Sequence, residues 1–486
     1  MQSDNHNIGA IIADQARQNP DAVSIEQDGQ RYTRGQIMTS AHALADFFRA
    51  HGVGPGASVG IVAVDRLRTF EAVIALWACG AVVLCLDCRQ TIGELQAAQD
   101  KAGLDIVFTD SKSFARRGGM TLIPPRVEIA PLGTEMTFSD ASGDSDALIL
   151  SSSGTTGLPR YRRKSHRSVL QGLRASGAVL DLPVLPPSVS VGSLAFGAIL
   201  MHWVKAFVYG TFMISLPLLY RTSDLHAALS RPDIEFVGLP PVVITDLLAF
   251  HSERCASADG CAYPHITRLS SIGGPISPDD LVRAYQKLTP HVRNLYSMSG
   301  VGAVSVLSGP DIEAKPRSVG RPFPQITVKI EDDTGAACAA GQVGRIYAKS
   351  NLMGDAILVD TGDLGWQDDD GFLFIAGRSD QIVTRKSVNI SLTELETDVK
   401  NIEGVRDCIA FSALADGSLD DLVFLAVEAR ADGDTLKNTI RSSLASFRRP
   451  DRILVTQRLP RTMSDKIALA ELKRMSTVKE AGFVDL

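Results

Sequence analysis

Basic charge is not in excess here: Lys and Arg total 49 against 55 Asp and Glu, a formal net charge of −6. That balance argues against a protein built to neutralise a phosphate backbone, and no nucleic-acid partner is expected. Long apolar runs are also missing. The most apolar stretch, Val191 to Tyr220, is interrupted by His202 and Lys205. It therefore falls short of the roughly 18 uncharged residues of a membrane span, and it reads as a buried helix followed by a buried strand. The opening residues, MQSDNHNIGA, show no basic segment followed by an apolar one, the layout of a secretory signal. Cysteines are few and scattered, seven in all. Cys85 and Cys88 have CxxC spacing, but Cys255 and Cys261 are too far apart to supply the second ligand pair of a zinc site. The cysteines are expected to be small buried hydrophobes in a reducing, cytoplasmic compartment, and no metal cluster is expected. No internal repeat or long low-complexity tract is evident.

What is present is the composition of a globular protein, 45% hydrophobic and 21% charged over 486 residues. That length suggests about three domain-sized units. Short β-branched runs alternate with helical spacing in the first 110 residues. Ser58 to Val64 and Ala81 to Leu86 read as buried strands, and Ala41 to Ala50 and Thr69 to Trp77 as helices. This rhythm predicts an α/β fold with partly parallel sheets. From Val319 to Ala376 short strands and turns take over, and the last hundred residues read as a compact α+β unit. The boundary is placed near Gly377 to Gln381.

The central motif is Leu148-Ile-Leu-Ser-Ser-Ser-Gly-Thr-Thr-Gly-Leu-Pro-Arg160. An apolar strand runs into hydroxyls and glycines and ends on a cation. Glycine permits close approach of backbone N–H groups to phosphate, while hydroxyls and an arginine add donors. It is not a GxxxxGK[ST] loop, because Pro159 stands five residues after Gly154 and no Gly-Lys pair follows. Ser152 to Arg160 instead resembles the phosphate loop of the adenylate-forming superfamily. That group includes acyl- and aryl-CoA ligases, peptide-synthetase adenylation domains and firefly-type luciferases.

Further elements follow in family order: Ile272-Gly-Gly-Pro-Ile276, Asn294-Leu-Tyr296, Thr361-Gly-Asp363-Leu, Gly377-Arg-Ser-Asp380 and Pro460-Arg-Thr-Met-Ser-Asp-Lys466. The resemblance implies a large N-terminal domain of α/β subdomains with a small β-rich subdomain (1–376), a hinge (377–380) and a mobile α+β domain (381–486). It implies a two-step reaction: a carboxylate attacks the α-phosphate of ATP, pyrophosphate leaves, and the acyl group then passes from AMP to a pantetheine thiol. Ser152, Ser153, Gly154, Thr155, Thr156, Gly157 and Arg160 would hold phosphates. Gly273, Gly274, Pro275, Asn294, Leu295, Tyr296 and Ser297 would line the adenine, and Asp363 would accept the ribose hydroxyls. Arg378 would be a further nucleotide contact, Asp380 the pivot, Ser299 a catalytic hydroxyl and Lys466 the catalytic cation.

Three positions depart from the family pattern. Gly300 stands where a glutamate usually helps hold Mg²⁺, and the next acid downstream is Asp311. Loss of one carboxylate weakens a Mg²⁺ site that leans on phosphates and water without abolishing it. Lys386-Ser387 stands where glycine-containing pairs line the pantetheine tunnel, and Asp465 replaces the usual glycine before Lys466. Where peptide-synthetase domains place an aspartate for the α-amine, this chain has Gly197. Phe196, His202, Trp203, Met298 and Val301 then imply an apolar pocket for a fatty, branched or aromatic acid. The acceptor is expected to be CoA, with the phosphopantetheine of a separate carrier protein as one alternative. A degenerate nucleotide- or acyl-binding module without turnover is the other.

Overall fold

The computed structural model describes residues 7–485 except 127–135, 140–141, 154–158, 255–259, 299–300, 353–356, 379–381, 386–387, 415–420, 430–432, 446–447, 462–466 and 477–482. The chain forms two compact units, Met1–Val237 and Gly238–Leu486.

In the first unit a six-stranded sheet runs in the order Thr121–Leu122, Ile106–Thr109, Ser58–Val62, Val82–Leu86, Asp146–Ser153, Pro159–Ser165. Every pairing is parallel except the last, which is an antiparallel hairpin. Ser58–Val62 and Val82–Leu86 are buried at every position, as strands covered on both faces must be. That is why they read as unbroken apolar runs. The helix Arg66–Ala78 is likewise buried along its whole length. A second set of parallel strands, Val23–Gln27, Met213–Ser215 and Ser188–Ser190, is flanked by Phe236 and Val237.

A buried cation ties this second set together. Arg66 is 3% exposed and donates to Ser190 O, Leu216 O, Ser190 Oγ and Ser215 Oγ at 2.7–3.1 Å. It thereby fastens the ends of two neighbouring strands. All four of these acceptors are neutral, and burial draws the guanidinium down to about 9.

The second unit opens with the strands Arg268–Ser271, Val292–Met298, Gly302–Ser308 and Arg321–Pro322. An antiparallel meander of Ile326–Glu331, Gly344–Ser350, Val359–Gln367 and Leu373–Arg378 follows. A last sheet is built from Val405–Leu414, Asp421–Ala429, Arg452–Thr456 and Val484–Asp485. The helices Leu392–Lys400 and Gly433–Ser443 pack on it through Leu395, Val399, Leu436 and Ile440. The α/β rhythm, the switch to short strands after residue 319 and the α+β end all appear where the sequence placed them. The Val191–Tyr220 stretch resolves into the helix Gly197–Tyr209 and the strand Met213–Ser215. Among the described residues no helix is long and apolar enough to cross a membrane.

One half-buried acid gives this fold a pH dependence. Glu396 accepts the Ala410 N–H at 2.8 Å, and burial pushes its carboxyl from the ordinary 4.5 up to about 7 against the pull of Lys400. A pKa raised on folding means that the native state holds its proton longer than the unfolded chain. The contribution is therefore full below pH 4.5 and is lost as pH rises to about 7, at up to about 1.4 kcal/mol per pH unit. Glu396→Gln should flatten this loss. Urea midpoints at pH 5 and pH 8 test it, and midpoints that fall in parallel for both proteins would refute it.

Candidate functional site

In the second unit, strand register brings the sequence-nominated residues together. Ser271 pairs in parallel with Asn294. The chain then leaves the first strand through Ile272 and the exposed turn Gly273-Gly274-Pro275. Gly273 has φ +91°, and a Cβ there would meet no atom within 4 Å. The turn thus offers bare backbone with space in front of it, which is what a flat ring needs for close approach.

Two residues beyond Asn294 on the same strand, Tyr296 donates its hydroxyl to Asp363 Oδ2. A register shift between Tyr296 and Ser297 bends the strand at this point. Asp363 lies across from Arg378 in the meander, and Arg378 Nη1 stands 3.7 Å from Asp363 Oδ1. Thr361 Oγ1 accepts the Asp363 N–H at 3.0 Å and donates to Ile346 O at 2.8 Å, which holds the aspartate's backbone. Burial and then the Asp363 carboxylate push the Tyr296 phenol well above its usual value, so it stays protonated and remains a donor. An ionised carboxylate has about four acceptor positions, and Tyr296 takes one of them. Leu295 is half-buried, Ser297 is exposed, and Met298 and Val301 are half-buried at the end of the hairpin.

In the first unit, Leu148 to Leu150 lie in the strand Asp146–Ser153. Register pairs Ser152 with Arg160 and Ser153 with Pro159, so the two strands on either side of residues 154–158 run antiparallel. Of the basic run that follows, Arg163 reaches Ser58 Oγ at 2.8 Å and Asp146 at 3.5 Å, and Arg167 pairs with Asp144 at 2.9 Å. His166 is buried and accepts the Ile8 N–H at Nδ1, and burial lowers it to about 4.

On the helix Gly197–Tyr209, Trp203 is buried. It is 0% exposed and lies on the core stripe of Ile199, Ala206 and Phe207, with its Nε1 donating to Ser190 Oγ. The partly or fully accessible residues at its N-terminal half are Phe196, Gly197, Ala198, Met201 and His202. Met201 was not nominated, although it adjoins His202 on that face. His202 Nε2 lies 2.9 Å from Ser188 Oγ. Burial, Arg66 and Lys205 push its pKa down to about 3, so it is a neutral hydrogen-bonding ring at neutral pH.

Gly154, Thr155, Thr156, Gly157, Ser299, Gly300, Asp380, Lys386, Ser387 and Lys466 lie outside the described residues, as do the side chains of Ser152, Ser153 and Arg160. Asp311, the next acid downstream of Gly300, pairs with Arg321 at 3.2 Å on the surface. Among the described residues no cluster of three or more His, Cys, Asp or Glu is arranged to hold a metal.

Gly362, inside the Thr-Gly-Asp element, lies within the strand Val359–Gln367. Its φ is +76°, and a Cβ there would stand 2.8 Å from Arg378 Nη2. The glycine is what lets the guanidinium lie against the strand and face Asp363. Gly362→Ala should therefore cost at least roughly 1 kcal/mol of stability, read as a lowered urea midpoint. An unchanged midpoint would show that this position tolerates a side chain.

With this geometry in hand, the chain was compared with known proteins. It is 26% identical over 534 residues to the medium/long-chain-fatty-acid–[acyl-carrier-protein] ligase FadD10 of Mycobacterium tuberculosis, covering 97% of this chain and 96% of the relative. It is 25% identical over 495 residues to a feruloyl-CoA synthase of Amycolatopsis sp, covering 97% and 99%. In fold it is similar to the o-succinylbenzoate CoA synthetase MenE of Bacillus subtilis, solved with its acyl-adenylate intermediate. The TM-score is 0.77 at 21% identity, over 95% of this chain and 97% of that one. The AMP-binding enzyme family model matches residues 12–355, and the chain belongs to that family.

Proposed function

We propose that this chain is an AMP-forming acid–thiol ligase acting on an apolar carboxylic acid. The observation that carries the reading is the convergence of Tyr296, Asp363 and Arg378 on the strand beside the Gly273 turn. A ribose is met by a carboxylate that accepts its hydroxyls and an adenine by open backbone, and Asp363 and the Gly273 turn are groups of those kinds. FadD10 and the feruloyl-CoA synthase, by their names, join acids to a carrier protein and to CoA, which supports the thiol half.

In the first step a carboxylate oxygen of the acid attacks the α-phosphorus of ATP. The bond to the bridging oxygen breaks and pyrophosphate leaves. Negative charge builds between carboxylate and phosphate, where Lys466 acts as a preorganised cation and Ser299 as a hydroxyl donor. Backbone N–H groups and hydroxyls of Ser152–Gly157, with Arg160, hold the departing phosphates. Gly300 leaves the hairpin without a carboxylate for Mg²⁺, so no step is assigned to the metal. In the second step a pantetheine sulfur attacks the acyl carbonyl, its proton passes to solvent, and AMP leaves. Asp380 is the pivot between segments 1–376 and 381–486, and Lys386-Ser387 borders the thiol's path. Phe196, Met201 and His202 meet the acyl group. With Gly197 in place of an aspartate and His202 neutral, a substrate ammonium would be left without a partner, at a cost of several kcal/mol.

ATP–pyrophosphate exchange over a panel of acids is the test. Fatty, branched or aromatic acids should support exchange and α-amino acids should not. Lys466→Ala should slow exchange by about 10²–10³-fold with ATP binding retained, and normal exchange in that variant would remove the lysine from the mechanism. Asp363→Asn should weaken ATP binding by roughly tenfold or more. Tight nucleotide binding with no exchange for any acid would point to a binding module instead. Mass spectrometry after incubation with CoA or with holo-carrier protein separates the two acceptors.

A further inference from the structure

Two polar groups that have no hydrogen-bond partner among the described residues line one small cavity of the first unit. The cavity lies among the helices Ile8–Gln18, Arg34–Ala50 and Gly197–Tyr209 and the strand Val23–Gln27. Its apolar walls are Ile12, Ala16, Ile37, Met38 and Phe207. The two polar groups are Ser24 Oγ and Arg34 Nε, and Ser24 is only 2% exposed. None of these residues belongs to the nucleotide or acyl sets described above.

The rest of Arg34 is committed. Its Nη1 lies 3.4 Å from Gln15 O, in the last turn of the first helix, and its Nη2 donates to Gly210 O, at the C-terminal end of the third. Gly210 has φ +66°, and a Cβ there would stand 2.7 Å from Nη2, so glycine is what admits the guanidinium. Both acceptors are neutral carbonyls, and no carboxylate pairs with Arg34 among the described residues. The cation therefore keeps its charge and one unused donor at the cavity wall.

A buried donor without an acceptor is expensive, and folded proteins rarely leave two of them at one place. An arginine Nε–H can only donate, and a serine hydroxyl can turn to donate as well. The cavity volume is about 10 Å³, room for one sphere of about water's size. One monatomic acceptor can serve both groups there, whereas phosphate, sulfate and carboxylates are too large. The apolar remainder of the wall screens the guanidinium poorly, which favours a negative acceptor over a neutral one.

We propose that this cavity is a halide site, in which one chloride accepts from Arg34 Nε and Ser24 Oγ. The bound ion ties the first strand to the helices around it. It binds the folded unit and not the unfolded chain, so it stabilises the fold by mass action. It acts on stability and stands apart from the acid-activating chemistry.

The test uses the full chain in two measurements. Crystals grown in bromide are examined by anomalous diffraction at the bromine edge, and a peak is expected in the cavity within hydrogen-bond reach of Arg34 Nε and Ser24 Oγ. Urea unfolding is followed through the buried Trp77 and Trp203 of the first unit, in chloride and in gluconate at equal ionic strength. Exchanging about 0.15 M gluconate for chloride should lower the unfolding constant roughly tenfold, as a Kd on the order of 10–20 mM gives. Arg34→Met should abolish the peak and the chloride response, which also controls for general salt effects. Ser24→Ala should shrink the response at least about threefold. Equal unfolding in the two salts would overturn the proposal, as would a cavity without anomalous signal, which would then hold water. A bromide peak with no response in solution would mark an adventitious ion only and overturn it too. If Arg34→Met does not fold, Ser24→Ala carries the comparison, and a response equal to wild type in that variant refutes the site.

Discussion

A charge taken out of water must be met by other polar groups, and this requirement shapes the molecule at three places. Glu71, with its side chain fully buried, is met by Arg68 at 3.0 Å, Ser40 at 2.7 Å and Arg126. Arg66 is met by carbonyls and hydroxyls at two strand ends. Glu428 is met by two arginines and a backbone N–H. Removing one member of such a set leaves its partner charged and dry, at a cost of roughly 3–5 kcal/mol. Each set therefore fastens together stretches that are distant in sequence. Burial raises the Glu71 carboxyl, while Arg126, Ser40 and Arg68 oppose it.

The residues around Tyr296 follow a different logic. The Gly273 turn follows the strand Arg268–Ser271, Tyr296 stands beside a register shift, and Asp363 lies within the strand Val359–Gln367. The Tyr296–Asp363–Arg378 cluster needs no mobile loop, because its members are neighbours by register and by one hydrogen bond. Its energetics are local, whereas the buried sets act at a distance.

Much of this was legible from residue order alone, for a physical reason. Buried parallel strands are unbroken β-branched runs, so Ser58–Val62 and Val82–Leu86 announce themselves. Glycine and hydroxyl clusters mark ligand turns, so Gly273 and Asp363 stand out. Other features left no local trace. Trp203 looked suited to a pocket by type, but its place on the helix turns it to the core. Gly362 lies against Arg378 only through the pairing of two strands. Glu428 and Arg461 are 33 residues apart in sequence, and no pattern within either segment reveals that they meet. In the basic run after Arg160, Arg163 and Arg167 are paired with acids of the same unit.

That run has a consequence beyond ligand binding. The strand Pro159–Ser165 is the outermost of its six-stranded sheet, and an outermost strand is an open template for a strand from another molecule. Arg162 and Arg163 are exposed along it. Crowded positive charge on such a border repels any second copy that would add itself in register. The sheet is thereby guarded against polymerising through this edge, and the same charges keep this border in solution.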